Sequence, residues 1–61
     1  MPIVNLQILE GRSNKQVKEV IQNMTDTIST TLDVPKERVR VLVTEIPKTH
    51  WGTGGVLKSD E

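Results

Sequence analysis

One amphipathic segment lies between two short apolar segments, and this order constrains the fold more than any other feature of the chain. The first apolar segment covers residues 3–9, and the second, residues 39–46, is rich in the β-branched residues that strands favour. Between them, apolar residues recur mostly three or four positions apart, as on one face of an α-helix. They are Val17, Val20, Ile21, Met24, Ile28 and Leu32. The pattern predicts a βαβ unit, in which a right-handed helical crossover joins two parallel strands.

Local signals mark the ends of the helix. Ser13 and Gln16 match a capping box, in which each side chain accepts a hydrogen bond from the other residue's backbone N–H. Val34 precedes Pro35, and a residue before proline is disfavoured in the α region, so we expect the helix to stop there. Residues 35–38 are expected to form one short helical turn that begins with Pro35.

The segment after the second strand is short and rich in glycine. Pro47 is expected to end the strand, because proline has no N–H for a strand ladder. Residues 50–56 are expected to form a glycine-rich turn or short hairpin, and residues 58–61 to fray. The predicted fold class is therefore α/β (α+β), with two parallel strands, one crossover helix and a short C-terminal hairpin.

The chain is too short to build a large core alone. Its 61 residues make a single domain, and a chain of this size buries only about 60% of its unfolded surface. It has no cysteine for disulfides and a single histidine, His50, which disfavours a metal site. Val41 and Leu42 make both faces of the second strand apolar, whereas one helix covers one face. We therefore expect a homo-oligomer, in which another copy covers the bare face and the open sheet edges.

Charge and hydropathy argue against several partner classes. Lys+Arg and Asp+Glu number eight each, whereas nucleic-acid binding rests on a positive balance. No apolar run approaches the roughly 20 residues that span a bilayer. No basic segment precedes the first apolar run, so no signal peptide is expected, and the predicted location is the cytoplasm.

Few residues remain that are suited to chemistry. The carboxylates are scattered without a paired spacing, and the glycine-rich tail lacks a P-loop lysine. Pro2 is the first candidate, because removal of Met1 leaves it a free secondary amine. An α-amino group titrates at about 7.7–8.0, so a small shift makes it a general base near neutral pH. With Met1 retained, the Pro2 nitrogen is a tertiary amide and has no such role.

The other candidates are three arginines and one tryptophan. Arginine holds carboxylates by paired hydrogen bonds, so Arg40, in an apolar strand, either binds an anion or is simply exposed or structurally paired. Arg12 lies in a turn and either binds an anion or is solvated. Arg38 either enlarges an anionic site or pairs with Glu37 or solvent. Trp51 is expected in a core or interface, where it can also form the wall of a pocket.

Four segments, in order and with fitting spacing, resemble the 4-oxalocrotonate tautomerase family. They are Met1-Pro2-Ile3, residues 8–13 (Ile-Leu-Glu-Gly-Arg-Ser), Val39-Arg40-Val41 and residues 48–55 (Lys-Thr-His-Trp-Gly-Thr-Gly-Gly). The resemblance covers essentially the whole chain. It implies a βαβ subunit, a dimer with a four-stranded sheet and two helices, and a hexamer built as a trimer of dimers.

The resemblance also implies a cofactor-free, metal-free reaction. Pro2 would be the general base that moves a proton within a 2-hydroxydienoate or 2-oxo-enoate diacid such as 2-hydroxymuconate, a step in aromatic hydrocarbon catabolism. Arg40 would bind the 1-carboxylate and the 2-oxygen, and Arg12 the distal carboxylate. Trp51 would supply the aromatic wall. The arginines of the family reach one pocket from different subunits.

Leu9 and Arg38 are secondary site candidates, and two departures from the family pattern, Pro47 and Thr49, lie near the expected pocket. Two alternative functions remain. The same scaffold could serve a promiscuous tautomerase, dehalogenase, hydratase or decarboxylase of small acids, or the chain could be a non-catalytic oligomeric module if Met1 is retained.

Overall fold

The computed structural model describes all residues, 1–61, and has the predicted strand–helix–strand order. Its regular elements are β1 (Ile3–Leu9), α1 (Asn14–Leu32), β2 (Arg40–Ile46), β3 (Gly52–Thr53) and β4 (Val56–Leu57). Three 3₁₀ turns, at Lys36–Arg38, Lys48–His50 and Lys58–Asp60, connect or follow them. Strands β1 and β2 pair in parallel, with Ile3 opposite Arg40 and Leu9 opposite Ile46. Strands β3 and β4 form an antiparallel hairpin, so the predicted fold class is confirmed.

The capping signals form as the sequence predicts. The backbone N–H of Gln16 donates to Ser13 Oγ at 3.1 Å, and the backbone N–H of Ser13 donates to Gln16 Oε1 at 3.1 Å. At the other end, Asp33 adopts a left-handed conformation with φ 55°. That conformation turns the chain out of the helix, so Val34 continues away from it.

Two details of the fold differ from the predictions. Strand β2 begins at Arg40 rather than Val39, because the N–H of Val39 donates to Lys36 O (3.0 Å) and closes the preceding turn. The prediction that residues 58–61 fray is wrong. The N–H of Lys58 donates to Trp51 O at 2.8 Å, and the N–H of Glu61 donates back to Lys58 O at 3.3 Å. These bonds hold the last residues in a 3₁₀ turn.

The subunit has almost no interior of its own. Val39, with 8% of its surface exposed, is the only buried residue. The radius of gyration is 14.4 Å, against about 10.5 Å for a compact chain of this length. The molecule is a slab of 43 × 24 × 13 Å. Burial within one chain is therefore too small to account for a stable fold.

The two faces of the β1–β2 sheet are covered unequally. Helix α1 packs against one face, where Val41 and Val43 are half-buried. On the opposite face, Ile3 and Leu42 are 57% and 53% exposed. Beside α1, a groove of about 450 Å³ is left open. Its apolar lining comprises Leu6, Ile8, Val17, Val20 and Val43. No helix combines the length and apolar character needed to cross a bilayer.

Candidate active site

Parallel pairing brings Pro2 and Arg40 to the end of the sheet where both strands begin, called here the N-terminal end. The backbone N–H of Arg40 donates to Pro2 O at 3.0 Å, and Ile3 lies opposite Arg40 in the ladder. Pro2 is half-buried, whereas Met1 is 79% exposed. The Pro2 nitrogen is thus held at an open edge of the subunit by a strand that is fixed on one side.

The Arg40 side chain is paired with backbone. Its Nη1 donates to Glu37 O at 2.7 Å and lies 3.5 Å from Val39 O. A carbonyl oxygen does not neutralise the guanidinium charge, and neither Nε nor Nη2 has a partner within the chain. Because a guanidinium has five N–H donors, Arg40 keeps enough of them to bind a carboxylate in addition.

Arg38 is an exposed cation in the turn that precedes β2. Its side chain forms no hydrogen bond or ion pair, so of the alternatives given for Arg38 the pairing with Glu37 is not formed and the side chain faces solvent. The other cation of this turn, Lys36, is engaged: its Nζ lies 2.9 Å from Asp26 Oδ1. The hydrogen bond and the charge of Asp26 raise the pKa of Lys36. Arg38 and Arg40 therefore flank the buried Val39 as two cations without an anionic partner.

Arg12 lies beyond the opposite end of the sheet, where both strands finish, called here the C-terminal end. The whole of β1 separates it from Pro2, and seven strand residues span about 23 Å. Arg12 is exposed, forms no ion pair, and contributes to the groove beside α1. One chain therefore does not bring Arg12 to Pro2.

Trp51 also belongs to the C-terminal end. It is half-buried and lines a concavity of about 360 Å³ together with Gln7, Ile46, His50 and Gly52. Leu9 lies opposite Ile46 in the ladder, so it reaches the same end of the sheet as Trp51. The Nδ1 of His50 lies 2.8 Å from Thr49 Oγ1.

Sequence reasoning missed one residue of the C-terminal end, Glu10. Its backbone N–H donates to Ile46 O at 2.9 Å, and its Oε1 accepts a hydrogen bond from the N–H of Lys48 at 3.2 Å. No local sequence pattern predicts the contact between Glu10 and Lys48, because the two residues lie far apart in the chain. No group of three His, Cys, Asp or Glu side chains is placed to hold a metal ion.

Comparison with known proteins places this geometry in a family. Residues 2–61 match the family model described as tautomerase enzyme. A 2-hydroxymuconate tautomerase of Pseudomonas fluorescens is 53% identical over 55 residues, which cover 90% of this chain and 87% of the relative.

Solved structures agree with the sequence comparison. A 4-oxalocrotonate tautomerase homologue superposes with a TM-score of 0.94 at 36% identity, covering 100% of this chain and 97% of that one. A heterohexamer 4-oxalocrotonate tautomerase of Chloroflexus aurantiacus gives a TM-score of 0.92 at 33% identity, covering 98% and 97%.

Proposed function

This chain belongs to the tautomerase enzyme family, and on that premise we propose that it interconverts enol and keto forms of a 2-hydroxydienoate or 2-oxo-enoate diacid. One observation carries the proposal: Pro2 stands at an open end of the sheet with two cations, Arg38 and Arg40, that have no anionic partner. An amine beside unneutralised cations suits proton transfer within an anionic substrate. We take 2-hydroxymuconate as the test substrate.

The base in this proposal is the Pro2 nitrogen after removal of Met1. Met1 is 79% exposed and belongs to no regular element, so its removal breaks no strand pairing. Nearby cations disfavour the ammonium form of an amine and so favour the free base. The nitrogen accepts the proton of the 2-hydroxyl group, which leaves a dienolate, and then returns that proton to a carbon of the conjugated chain. The product is the 2-oxo-enoate.

The arginines hold the two ends of the diacid and stabilise the charge that develops between them. We assign the 1-carboxylate and the 2-oxygen to the free N–H groups of Arg40, and the distal carboxylate to Arg12. Fixed cations that face a developing dienolate lower the barrier electrostatically. Trp51 and Leu9 supply apolar walls. Arg38 adds positive charge at the entrance without contacting the reacting atoms.

The site is completed by other copies of the chain. Strand β1 has a free edge, because it pairs only with β2. If two β1 strands pair in antiparallel fashion, the N-terminal end of one sheet lies beside the C-terminal end of the other. This arrangement gives a four-stranded sheet with two helices and brings Arg12 of one copy toward Pro2 of its partner. A trimer of such dimers is the proposed assembly, and the Chloroflexus aurantiacus relative is described as a heterohexamer.

An absorbance assay tests the proposal directly. Protein whose intact mass shows loss of Met1 is mixed with 2-hydroxymuconate, and ketonisation is followed in the ultraviolet. We expect turnover without added metal or cofactor. No acceleration over buffer by fully processed, oligomeric protein would contradict the proposal and would favour a non-catalytic module.

A further inference from the structure

We propose that Glu10 is a positioning residue that holds the segment carrying Trp51 against the end of β1 that leads into Arg12. The inference rests on the proposed function for its catalytic consequence, although the hydrogen bonds that support it are independent of that function. Glu10 uses both its backbone and its side chain. The N–H donates to Ile46 O at 2.9 Å, and Oε1 accepts from the N–H of Lys48 at 3.2 Å.

The two contacts lie on either side of Pro47, where the chain leaves β2. Pro47 has no N–H and caps the following 3₁₀ turn without a side-chain hydrogen bond. The first N–H groups of a helical turn have no partner within the turn, so Lys48 needs an acceptor from elsewhere. Oε1 of Glu10 supplies it.

The Glu10–Lys48 bond is the only hydrogen bond between residues 47–61 and the rest of the chain. All other hydrogen bonds of this C-terminal segment join residues within the segment. The N–H of Trp51 donates to Lys48 O at 3.4 Å, and the N–H of Lys58 donates to Trp51 O at 2.8 Å. The path from Glu10 to Trp51 therefore passes through Lys48 alone.

This bond couples two residues that the proposed site needs at one end of the sheet. Arg12 follows Glu10 by two positions, and Trp51 follows Lys48 by three. Glu10 forms no ion pair with Arg12 or with the Lys48 side chain. Glu10 therefore contributes an acceptor atom at hydrogen-bond distance from Lys48 rather than a charge, and substitutions can separate these two properties.

Three substitutions separate the position of the acceptor atom from the charge of the side chain. Glu10→Ala removes the acceptor, Glu10→Gln keeps an oxygen at the same distance without charge, and Glu10→Asp keeps the charge on a shorter side chain. Glu45→Ala is the matched control, since Glu45 is exposed near the same end of the sheet and its side chain forms no hydrogen bond. Trp51 is the only aromatic residue, so intrinsic fluorescence reports on this segment alone.

For Glu10→Ala we expect Trp51 emission to shift to the red and acrylamide quenching to increase. We also expect kcat/KM for 2-hydroxymuconate to fall about three- to tenfold, as for loss of one exposed hydrogen bond. Most of the loss should be in KM, because Arg12 and Trp51 are proposed to bind substrate, whereas Pro2 transfers the proton. Glu10→Gln should match wild type, and Glu10→Asp should behave like Glu10→Ala.

Wild-type fluorescence and kinetics in Glu10→Ala would overturn the inference. So would recovery by Glu10→Asp with loss in Glu10→Gln, which would assign the role to charge. If Glu10→Ala does not fold by circular dichroism, the comparison of Gln with Asp decides. If the wild-type protein lacks tautomerase activity, the proposed function fails, but fluorescence still tests the placement of Trp51.

Discussion

The two ends of the β1–β2 sheet are built in different ways. At the N-terminal end, backbone pairing fixes Pro2 beside Arg40. Val39, the one buried residue, holds the turn that leads into β2. At the C-terminal end, the segment that carries Trp51 is joined to the remainder of the chain by a single exposed hydrogen bond from Lys48 to Glu10.

This difference indicates a division of roles. The ladder sets the position of the proposed base, and a proton transfer depends on position within fractions of an ångström. The C-terminal end holds the groups that are proposed to bind substrate, and a hydrogen bond that a single substitution can remove fixes them in place. Loss of Pro2 or Arg40 at the N-terminal end, or of Arg12 itself, should therefore nearly abolish activity, whereas loss of the Glu10 contact at the C-terminal end should weaken it by degrees.

The largest effect is expected from blocking the Pro2 nitrogen. An N-terminal extension that resists cleavage converts the amine to an amide and removes the general base. We expect kcat to fall by about 10²–10⁴, with unchanged circular dichroism and sedimentation. The measurement is the rate of 2-hydroxymuconate ketonisation. Activity close to that of processed protein would remove Pro2 from the mechanism.

The next largest effect is expected at Arg40. Arg40→Ala removes the donors proposed for the 1-carboxylate and 2-oxygen, so kcat/KM should fall by about 10²–10³. Arg40→Lys keeps a charge but loses the paired N–H geometry, and it should recover only part of the loss. Full activity in a folded Arg40→Ala protein would exclude Arg40 from the site.

The smallest effect at this end is expected at Arg38. Arg38→Ala removes a cation that is exposed and has no protein partner, so KM for the diacid should rise about two- to fivefold with kcat unchanged. The rise should disappear at high salt, which screens exposed charges. Lys18→Ala on the outer side of α1 is the control. An equal change in both variants would show that only net charge matters.

The sequence predicted those features that depend on near neighbours. The Ser13–Gln16 capping box and the stop before Pro35 involve residues a few positions apart, and both form. The apolar spacing of α1 is likewise local and can be read without knowledge of the fold. The parallel pairing of β1 with β2 joins distant residues, and it was predicted from the order of the elements, because a helix between two strands makes a right-handed crossover.

The features that escaped prediction depend on distant or external contacts. Lys48 and Glu10 are 38 residues apart, so only the folded chain shows that one caps the other. The final 3₁₀ turn is held because the N–H of Lys58 donates to Trp51 O, a hydrogen bond that no sequence pattern near the C-terminus predicts. The meeting of Arg12 with Pro2 remains a prediction, because it depends on a second copy.

A mixing experiment tests most directly whether the site lies between chains. Subunits with a blocked Pro2 nitrogen and subunits with Arg12→Ala are each nearly inactive by this account, and they are unfolded and reassembled together. Random pairing should restore about a quarter of the wild-type sites, because in a mixed dimer one Pro2 meets an intact Arg12 of its partner. Recovery near that level is the predicted result. Activity no greater than the sum of the two parents, in oligomers shown by mass to be mixed, would contradict a shared site.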